Sequence, residues 1–494
     1  MRLGRIAVVI ALIAFGLLCS CARHGGLIAL AGDQSGILRL ETILAQSPLP
    51  HGWTVSPGGE AVQATVELAS AAASSQTSID ARPSVVAPAG RRWLVPALRL
   101  SDPRFSLTAA EAKAAGLRPL EDVLPPFRTP LVDGRWPGQD GYPFTEDLWL
   151  SVSAARGKAP RELADWALAA ARRAAREEER PIVLGATGDI QVGPREGALL
   201  ISGEEGRVAV LEGGLLPLLR SFDFLIGNLE GQISLRGEPN PRKRYLFRFP
   251  PGTAAALKSA GFGLLLFGNN HALDFGLDAF QDTLKDLDGT GMPYVGAGLD
   301  ADRAVAIKRL RIAGAVRDFA FIGFAAFPKE AMGFTTEEAA AGPNRPGVNA
   351  DEAATMTAIG SAAATGDTVV VLSHGGREYL DAPPQDVEER YRRFVDAGAA
   401  LVVGSHPHVL QGVEARGRSL IAYSLGNFVF TGEAEPPPGQ KGALVAFLMY
   451  RGVARGLRLY PLRIGFQGST LYDDHGDAEA RFAGLCAELA RAAR

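Results

Sequence analysis

The sequence has little cysteine and no strong charge bias, and both features exclude classes of protein. Its 494 residues include three cysteines, Cys19, Cys21 and Cys486. Two of them lie in the N-terminal segment discussed next, so the rest of the chain can build no internal disulfide framework. The formal net charge is -3 and the pI is near 6.2. Because no long block of one charge sign occurs, the basic footprint of a nucleic-acid-binding protein is missing, and we expect no nucleic acid as a partner.

Long apolar runs are also scarce, and the one at the N-terminus predicts a secretory signal. Arg2 and Arg5 precede an apolar run over residues 6–18, and small and polar residues follow it. This order is typical of an export leader. The text LCSC at residues 18–21 resembles the bacterial lipobox, so we expect cleavage before Cys21 and lipidation of its thiol. An uncleaved helical anchor or a lipobox at Cys19 is the alternative.

The rest of the chain has the composition of a globular protein with a substantial core. Hydrophobic residues make up 47% and charged residues 21% of the sequence, and the length favours two domains. An amphipathic helix pattern over residues 160–180 marks the boundary between them. We predict five segments: a leader at 1–21, a tether at 22–45, an N-terminal α/β accessory domain at 46–178, a second domain at 181–470 and a C-terminal helix at 471–494.

One stretch of the N-terminal domain resembles a class of receptors. Residues 131–152 contain LVDG, GYPF and LWLSV in this order. A Tyr-Pro turn that leads into a strand is similar to the closing part of periplasmic phosphate-binding-type solute receptors. The resemblance implies a partial solute-binding domain that senses a small anion. An α/β accessory domain without a ligand is the alternative.

From residue 181 onward, short apolar runs alternate with helical patterns, and this alternation predicts an α/β sheet core. The predicted strands cover residues 182–184, 224–226, 263–267, 319–324, 368–372, 400–403 and 419–423. Helical patterns at residues 253–260, 278–287 and 387–397 lie between several of them. The late runs at 443–450 and 457–463 predict a closing hairpin.

Side chains of the kinds that bind metal ions directly follow several of these runs. Sites in α/β sheets form at the carboxyl ends of strands, so we expect these side chains to meet. Imidazole and carboxylate together suit Zn, Mn or Fe, and the lack of nearby cysteine argues against a structural zinc site. If the His-x-His pair is extended, both of its rings point to one side. The candidates are Asp189, Glu230, Asn270, His271, His374, His406 and His408.

Residues from about 181 to 430 resemble the CapA or poly-γ-glutamate capsule family of the metallophosphatase superfamily. The matching text includes TGDIQVG, IGNLEG, FRFPP, GFGLLLFGNNHALDFG, LSHGG, GSHPHVLQ and YSLGNFVF, in the family's order and spacing. The resemblance implies an α/β fold, a four-layer αββα metallophosphatase-like sandwich, beside the smaller N-terminal α/β domain. It also implies a site for two metal ions that share a bridging carboxylate.

The resemblance also assigns roles to individual residues. It implies that His271 protonates the leaving group and that Asp274 orients its ring. A helix N-cap is the alternative role for Asp274. Gln191 stands where the superfamily usually has a histidine, so we expect one or two divalent ions, Mn, Fe or Zn. The implied metal ligands are Asp189, Glu230, Asn270, His374, His406 and His408, and the implied substrate-binding residues are Asn228, Arg248 and Glu378.

The function that the resemblance implies is metal-assisted hydrolysis of a phosphoester, linked to the synthesis or export of capsule or poly-γ-glutamate polymer. A polyanion-binding component of the same system, without hydrolysis, is the alternative. Expected partners are an anionic polymer or phosphoester substrate, the membrane through the lipid anchor at Cys21, and membrane proteins of capsule synthesis. The expected location is the extracytoplasmic face of the cell envelope, in the periplasm or at the cell surface.

Overall fold

The structure is a computed structural model, and it describes most of the chain from residue 27 onward. The predicted leader, with Cys19 and Cys21, and most of the predicted tether lie outside the described residues. Among the residues that are described, no helix is both long and apolar enough to cross a membrane. The described residues are 27–31, 40–41, 43–51, 54–55, 64–70, 85–100, 102, 104, 106–125, 127–137, 139, 142–154, 161–176, 180–212, 214–431, 441–465, 468–471 and 477–492.

The strands are numbered in chain order. They are β1 (Leu27–Ala31), β2 (Thr54–Val55), β3 (Ala64–Ser70), β4 (Val85–Pro96), β5 (Leu98–Arg99), β6 (Ser106–Leu107), β7 (Leu117–Pro119), β8 (Phe127–Arg128), β9 (Leu131–Val132), β10 (Thr145–Ala154), β11 (Ile182–Gln191), β12 (Leu211–Glu212), β13 (Phe224–Leu229), β14 (Gln232–Ile233), β15 (Arg248–Phe249), β16 (Leu264–Leu266), β17 (Tyr294–Val295), β18 (Ala297–Gly298), β19 (Lys308–Leu310), β20 (Phe319–Ala326), β21 (Gly347–Val348), β22 (Thr368–Gly375), β23 (Leu401–Ser405), β24 (Val413–Arg416), β25 (Ser419–Ala422), β26 (Asn427–Phe430), β27 (Lys441–Tyr450), β28 (Val453–Gly465) and β29 (Gly468–Leu471).

The α-helices are numbered in the same way, and two 3₁₀ turns, Leu120–Asp122 and Asn270–Leu273, accompany them. The helices are α1 (Ala109–Ala114), α2 (Arg161–Arg176), α3 (Pro194–Ile201), α4 (Glu204–Val210), α5 (Leu215–Arg220), α6 (Thr253–Ala260), α7 (Gly276–Thr290), α8 (Ala301–Val305), α9 (Thr336–Ala339), α10 (Glu352–Ala364), α11 (Gln385–Asp396) and α12 (Asp477–Ala492).

The chain divides into two compact units. The first consists of Met1–Val95 with Pro143–Glu178, and the second of Pro96–Tyr142 with Glu179–Arg494. The second unit thus resumes close to the boundary predicted near residue 180. Residues 96–142, which we predicted to be part of the N-terminal domain, fold with the second unit instead.

Two hydrogen bonds between distant residues join the segment 96–142 to β28 of the second unit. The backbone N–H of Thr129 donates to the carbonyl oxygen of Arg455 on β28 at 2.8 Å. The buried guanidinium of Arg455 donates to the carbonyl oxygen of Val123 at 2.9 Å. The segment is therefore attached to the second unit through backbone groups, which composition and periodicity do not reveal.

The first unit contains a small sheet and the helix predicted over residues 160–180. Its strands are ordered β2-β1-β3-β10-β4, with β10 antiparallel to both of its neighbours. Helix α2 buries Leu163 and Trp166 in a cluster with Leu40 and Leu150, which confirms the helix. Leu168 of the same helix is 37% exposed. The receptor resemblance of this region stays a prediction.

The second unit is built around two sheets that face each other. The larger has the order β12-β29-β28-β27-β11-β13-β16-β17, with β26 also paired to β11, and the smaller has the order β19-β20-β22-β23-β25-β24. Residues from both sheets, among them Ile226, Phe321, Val370 and Phe447, form one buried apolar layer between them. The predicted closing hairpin is confirmed, because β27 and β28 pair antiparallel.

Helices cover the outer faces of both sheets. On the larger sheet, Leu257 of α6 and Phe280 of α7 join a buried cluster with Leu265 of β16. On the smaller sheet, Ile359 of α10 and Phe394 of α11 belong to a second buried cluster, together with residues of β22 and β23. The layers therefore run helix, sheet, sheet, helix, which confirms the four-layer αββα sandwich.

One glycine allows two backbone segments to meet at the end of β11. A Cβ atom built on Gly188 would lie 1.7 Å from the carbonyl oxygen of Gly426. The same oxygen accepts a hydrogen bond from the backbone N–H of Asp189 at 3.0 Å. A side chain at position 188 would therefore push Asp189 away from its place at the strand end.

We predict that Gly188→Ala lowers the free energy of unfolding by about 1–3 kcal/mol, the usual cost of overpacking a tight contact. The matched control is Gly289→Ala. Gly289 is exposed in α7 and a Cβ there meets nothing within 4 Å, so alanine should stabilise that helix by up to about 1 kcal/mol. Thermal unfolding of both variants measures the effect. If both substitutions changed the free energy of unfolding by the same small amount, the close contact at Gly188 would be contradicted.

Candidate metal centre

The ends of strands from both sheets bring the predicted metal ligands together in one buried cluster. Asp189 lies near the end of β11, Glu230 directly follows β13, and His374 lies on β22. His406 directly follows β23, and His408 lies two residues further on. All five side chains are buried. Strands of two different sheets therefore supply donors to one place.

Metal-type donor atoms in this cluster form two overlapping groups. Asp189, Glu230 and His374 form one, and Glu230, His406 and His408 form the other. Within each group the donor atoms lie within 4.8 Å of one another. Glu230 is common to both groups, which matches the bridging position that the family resemblance implies for it.

Glu230 is the residue that fits a metal ion most clearly. Its side chain is fully buried, yet both carboxylate oxygens have no hydrogen-bond partner among the described residues. Nε2 of His406 is likewise buried and unpaired within that part of the chain. Buried charges in proteins are normally paired or bound to metal ions. The unpaired atoms on these two residues therefore fit a cation.

Burial dominates the electrostatics of Glu230. Burial and the negative charge of nearby Asp189 raise the pKa of Glu230 well above its usual range. The charge of Glu378 adds a smaller effect in the same direction. Burial and these negative charges therefore favour the protonated carboxyl, whereas a positive charge beside it, on His408 or on a bound cation, favours the ionised carboxylate.

Asp189 and His408 form one side of the cluster. Nδ1 of His408 lies 3.2 Å from Oδ2 of Asp189 and 2.9 Å from Oδ1 of Asn427. Burial disfavours the charged ring, but the negative charges of Glu230 and Asp189 outweigh it and raise the pKa of His408 to about 10. In the metal-free protein this histidine is therefore protonated at neutral pH.

Asn270, His374 and His406 form the other side. Nε2 of His374 lies 2.8 Å from Oδ1 of Asn270 and 3.1 Å from Nδ1 of His406. The same nitrogen is 3.7 Å from Oε1 of Glu230. Burial lowers the pKa of both histidines well below the usual range. They are therefore neutral, the form in which histidine binds metals.

Asn228, which we predicted to bind substrate, instead holds the ligands in place. Its side-chain amide donates to Oδ1 of Asp189 at 2.8 Å and lies 3.2 Å from Nδ1 of His374. Its carbonyl oxygen accepts a hydrogen bond from Asn269 at 3.0 Å. Both polar atoms of this buried amide therefore contact the proposed ligands or the residue beside them.

His271 and Asp274 form the pair that the resemblance implies. Nδ1 of His271 lies 2.7 Å from Oδ2 of Asp274, and its Nε2 lies 4.0 Å from Oε1 of Glu230. The ring stacks on Phe247 with centroids 4.0 Å apart. The N-cap of α7 is Phe275, so the alternative role of Asp274 as that N-cap is wrong.

The charges around this pair are strongly shifted by burial. Burial lowers the pKa of His271 well below its usual range, and the positive charge of Lys243 acts in the same direction. Burial raises the pKa of Asp274 to about 7, although Lys243 opposes this change. The free site therefore holds His271 neutral.

The two histidines of the His-x-His pair have unusual backbone conformations. The φ angles are 98° for His406 and 57° for His408. Positive φ is strained for residues other than glycine and is concentrated at functional sites. Our expectation of an extended segment with both rings on one side is therefore wrong, because the chain turns directly after β23. The turn still brings both rings to the cluster.

Gln191 does not substitute for the missing histidine as a ligand. Its side-chain oxygen accepts a hydrogen bond from the backbone N–H of Thr431 at 3.1 Å, and both residues are buried. The contact joins the end of β11 to the residue directly after β26. Gln191 therefore serves the backbone rather than the cluster.

The other two predicted substrate-binding residues differ in their surroundings. The guanidinium of Arg248 donates to the carbonyl oxygens of Arg236 at 2.9 Å and Gly237 at 3.2 Å, and its Cζ lies 3.6 Å from the ring centroid of Phe275. Glu378 is exposed, and its charge acts on the pKa of Glu230. The substrate-binding roles of both residues stay predictions.

Sequence reasoning missed several residues that support the cluster. Lys243 is fully buried beside Asp274, although it lies in a basic run that is typical of a solvated loop. Asn269 caps the 3₁₀ turn that carries His271, through a hydrogen bond of 3.1 Å. Glu330 accepts a hydrogen bond from Asn270 at 3.1 Å. Within the text RKRY, no sequence signal separates the buried lysine from its exposed neighbours.

We predict that metal binding releases protons and tightens as the pH rises. His408 must lose its proton, and Glu230 must be ionised, before either can bind a cation. The affinity should therefore rise about tenfold per pH unit for each proton released. Titration of the metal-free chain with Mn²⁺ or Zn²⁺ between pH 6 and pH 8 measures this change. A pH-independent affinity would contradict the predicted protonation of the cluster.

We also predict that Gln191→Ala lowers the stability of the protein but leaves its metal content unchanged. The change removes one of the two acceptors of the buried N–H of Thr431, which keeps the backbone carbonyl oxygen of Gln191 at 3.2 Å, so we expect a loss of about 0.5–1.5 kcal/mol. The control is Gln385→Ala, because Gln385 is exposed and its side chain bonds to Glu389 on the same helix; there we expect less than about 0.5 kcal/mol. Thermal unfolding and elemental analysis are the measurements. Metal loss with unchanged stability would show that Gln191 is a ligand.

The chain is similar to known proteins over the region that contains this cluster. Residues 183–432 match the family described as "Bacterial capsule synthesis protein PGA_cap". The "PGA biosynthesis protein CapA" of Bacillus subtilis is 34% identical over 217 residues, which are 43% of this chain and 55% of that protein. The "Capsule biosynthesis protein CapA" of Bacillus anthracis is 35% identical over 220 residues, 43% of this chain and 52% of that protein.

The chain spans about half the length of these curated relatives. Among solved structures, a phosphatase from Mycoplasma pneumoniae aligns over 57% of this chain and 94% of its own, at 12% identity and a TM-score of 0.36. A likeness this low supports no conclusion about function. The family match alone covers half of the chain and includes every ligand in the cluster. The chain belongs to the PGA_cap family of bacterial capsule synthesis proteins.

Proposed function

We propose that the chain is a metal-dependent phosphoester hydrolase that serves the synthesis or export of capsule or poly-γ-glutamate polymer. The observation that carries this proposal is Glu230, whose buried carboxylate has no hydrogen-bond partner among the described residues and belongs to both donor groups. The proposed ligands, for one or two ions of Mn, Fe or Zn, are Asp189, Glu230, Asn270, His374, His406 and His408. When bound, a divalent ion lowers the pKa of a bound water and stabilises charge on phosphoryl oxygens.

His271 is the proposed proton donor to the leaving group. Asp274 accepts the Nδ1–H of the ring and fixes its orientation, while Phe247 stacks on one face. Nε2 therefore points toward Glu230, at 4.0 Å from its Oε1. An anionic substrate placed over the cluster favours the protonated ring, because opposite charge raises the pKa of a histidine. His271 then protonates the departing oxygen from Nε2.

The link to envelope polymers rests on the relatives. The two Bacillus proteins are named for capsule biosynthesis and for PGA biosynthesis. By this similarity we propose an anionic polymer or a phosphoester as substrate, and membrane proteins of capsule synthesis as partners. The proposed location is the extracytoplasmic face of the cell envelope, with an anchor at the lipidated Cys21.

The test is turnover of phosphoester substrates by the metal-loaded chain. We expect His271→Ala to lower kcat by about 10²–10⁴-fold while the metal content stays unchanged, because general acid catalysis contributes about this much. Glu230→Gln should lose both metal and turnover. The control is Arg416→Met, which breaks an exposed ion pair with Asp396 and should leave turnover unchanged.

A metal-replete chain that turns over no phosphomonoester or phosphodiester would overturn the hydrolase. If that chain bound poly-γ-glutamate and bound it equally well with His271→Ala, the non-hydrolytic polyanion-binding role would be the better account.

A further inference from the structure

The ammonium group of Lys243 is buried beside the Asn-His motif, which is formed by Asn270 and His271. The side chain of Lys243 is 0% exposed, and its Nζ lies 2.6 Å from Oδ1 of Asp274 and 3.1 Å from Oε1 of Glu330. Nζ also donates to the carbonyl oxygen of Asn270 at 2.6 Å. The contact with the Asn270 carbonyl is a hydrogen bond, and the contacts with Asp274 and Glu330 are ion pairs.

Such burial is specific to Lys243 among the basic residues of its loop. Arg242 is half-exposed and pairs with Glu338, and Arg244 is exposed. Lysine is almost never fully buried unless it is paired, because the desolvation of its charge is costly. The three groups that contact Lys243 belong to the segment of the Asn-His motif or to the segment around Glu330. Lys243 therefore supports the position of that motif.

The partners of Lys243 are the groups that orient two site residues. Oδ2 of Asp274 contacts Nδ1 of His271, while Oδ1 of the same carboxylate contacts Lys243. Oε1 of Glu330 accepts from Nδ2 of Asn270, which turns Oδ1 of that amide toward His374. Without the ammonium, the buried carboxylate of Asp274 would lose the positive charge beside it, and with it a constraint on the group that orients His271.

The packing around the ammonium adds to this constraint. The ring of Phe334 lies under Lys243, with Nζ 4.9 Å from its centroid. The backbone N–H of Glu330 donates to the carbonyl oxygen of Phe334 at 2.9 Å. This backbone hydrogen bond holds the Glu330 carboxylate and the Phe334 ring in one turn, and both contact Lys243.

We propose that Lys243 is a positioning residue for proton transfer by His271, and that the substrate is consequently a phosphoester of an alcohol or a sugar. This rests on the proposed function. In the reaction, water oxygen bonds to phosphorus and the ester P–O bond breaks. The departing oxygen takes the proton of His271 Nε2, and the proton that the water loses returns to solvent, from which the ring is protonated again.

The choice of substrate class follows from the chemistry of leaving groups. An alkoxide is a poor leaving group and needs a proton as the bond breaks, whereas a nitrophenolate leaves without one. A buried triad of Lys243, Asp274 and His271 contributes only where that proton is needed. Accurate positioning of the donor therefore matters for alkyl esters and hardly for activated aryl esters.

The test compares Lys243→Met on two substrates, glycerol phosphate and 2,4-dinitrophenyl phosphate. We expect kcat on glycerol phosphate to fall about a hundredfold, within the range that general acid catalysis contributes, and kcat on the aryl ester to fall less than about threefold. KM should change little on either. Equal loss on both esters would overturn the proposal, because damage to the fold or to metal binding does not depend on the leaving group.

Two further variants keep this test decisive. Arg242→Met removes the neighbouring cation of the same loop and should leave both rates unchanged. Lys243→Met combined with Glu330→Gln removes one negative charge together with the ammonium. This double variant should fold even if the single variant does not. Its kcat should fall on glycerol phosphate and hardly on the aryl ester. If the unaltered chain hydrolyses neither ester, the proposed function fails; if it hydrolyses both and the variant loses them equally, only the role of Lys243 fails.

Discussion

The burial of the Glu230 carboxylate among imidazoles is the constraint on which the rest of the site depends. A buried ionised carboxylate without partners costs several kcal/mol, and both oxygens of Glu230 lack a hydrogen bond among the described residues. The protein tolerates this arrangement because strands of two facing sheets end around it. Asp189 and Glu230 come from the larger sheet, while His374 and His406 come from the smaller. A cation at this place removes the electrostatic cost and links the two sheets.

Around this centre, supporting residues satisfy the atoms of the ligands that do not face Glu230. Asn228 contacts Asp189 and His374, and Asn427 contacts His408. Such contacts fix the orientation of metal ligands and are a normal part of metal sites. The same logic extends to His271, which Asp274 orients while Lys243 orients Asp274. The backbone contributes as well, through the close approach at Gly188 and the positive φ angles of the His-x-His turn.

Much of the second unit could be predicted from its sequence, because its signals are local. Each predicted strand between residues 182 and 423 has a strand at its place, and the helix predicted at residues 253–260 coincides with Thr253–Ala260. The donors could be located because they follow buried strands, where the carboxyl edge of a sheet gathers them. The donors also lie within glycine-rich motifs, which helped to identify them.

The remaining features depend on contacts between distant segments, which a local pattern does not contain. Lys243 is buried and Arg242 is half-exposed, although the two are neighbours in one basic run. Arg248 packs on the ring of Phe275. Residues 96–142 join the second unit through hydrogen bonds to Arg455 of β28, one from its backbone and one from its side chain. In each case the partner lies tens to hundreds of residues away, and the residue type alone is compatible with both placements.

The central claim is that Glu230 binds metal at the junction of the two sheets. The most direct measurement is anomalous X-ray scattering at the absorption edge of Mn or Zn, from crystals of the chain grown with that ion and from crystals of Glu230→Gln grown in parallel. The account predicts one or two peaks about 2.0–2.3 Å from a Glu230 carboxylate oxygen, lost or weakened in the variant. Peaks elsewhere, or peaks that persist unchanged without the carboxylate, would contradict it.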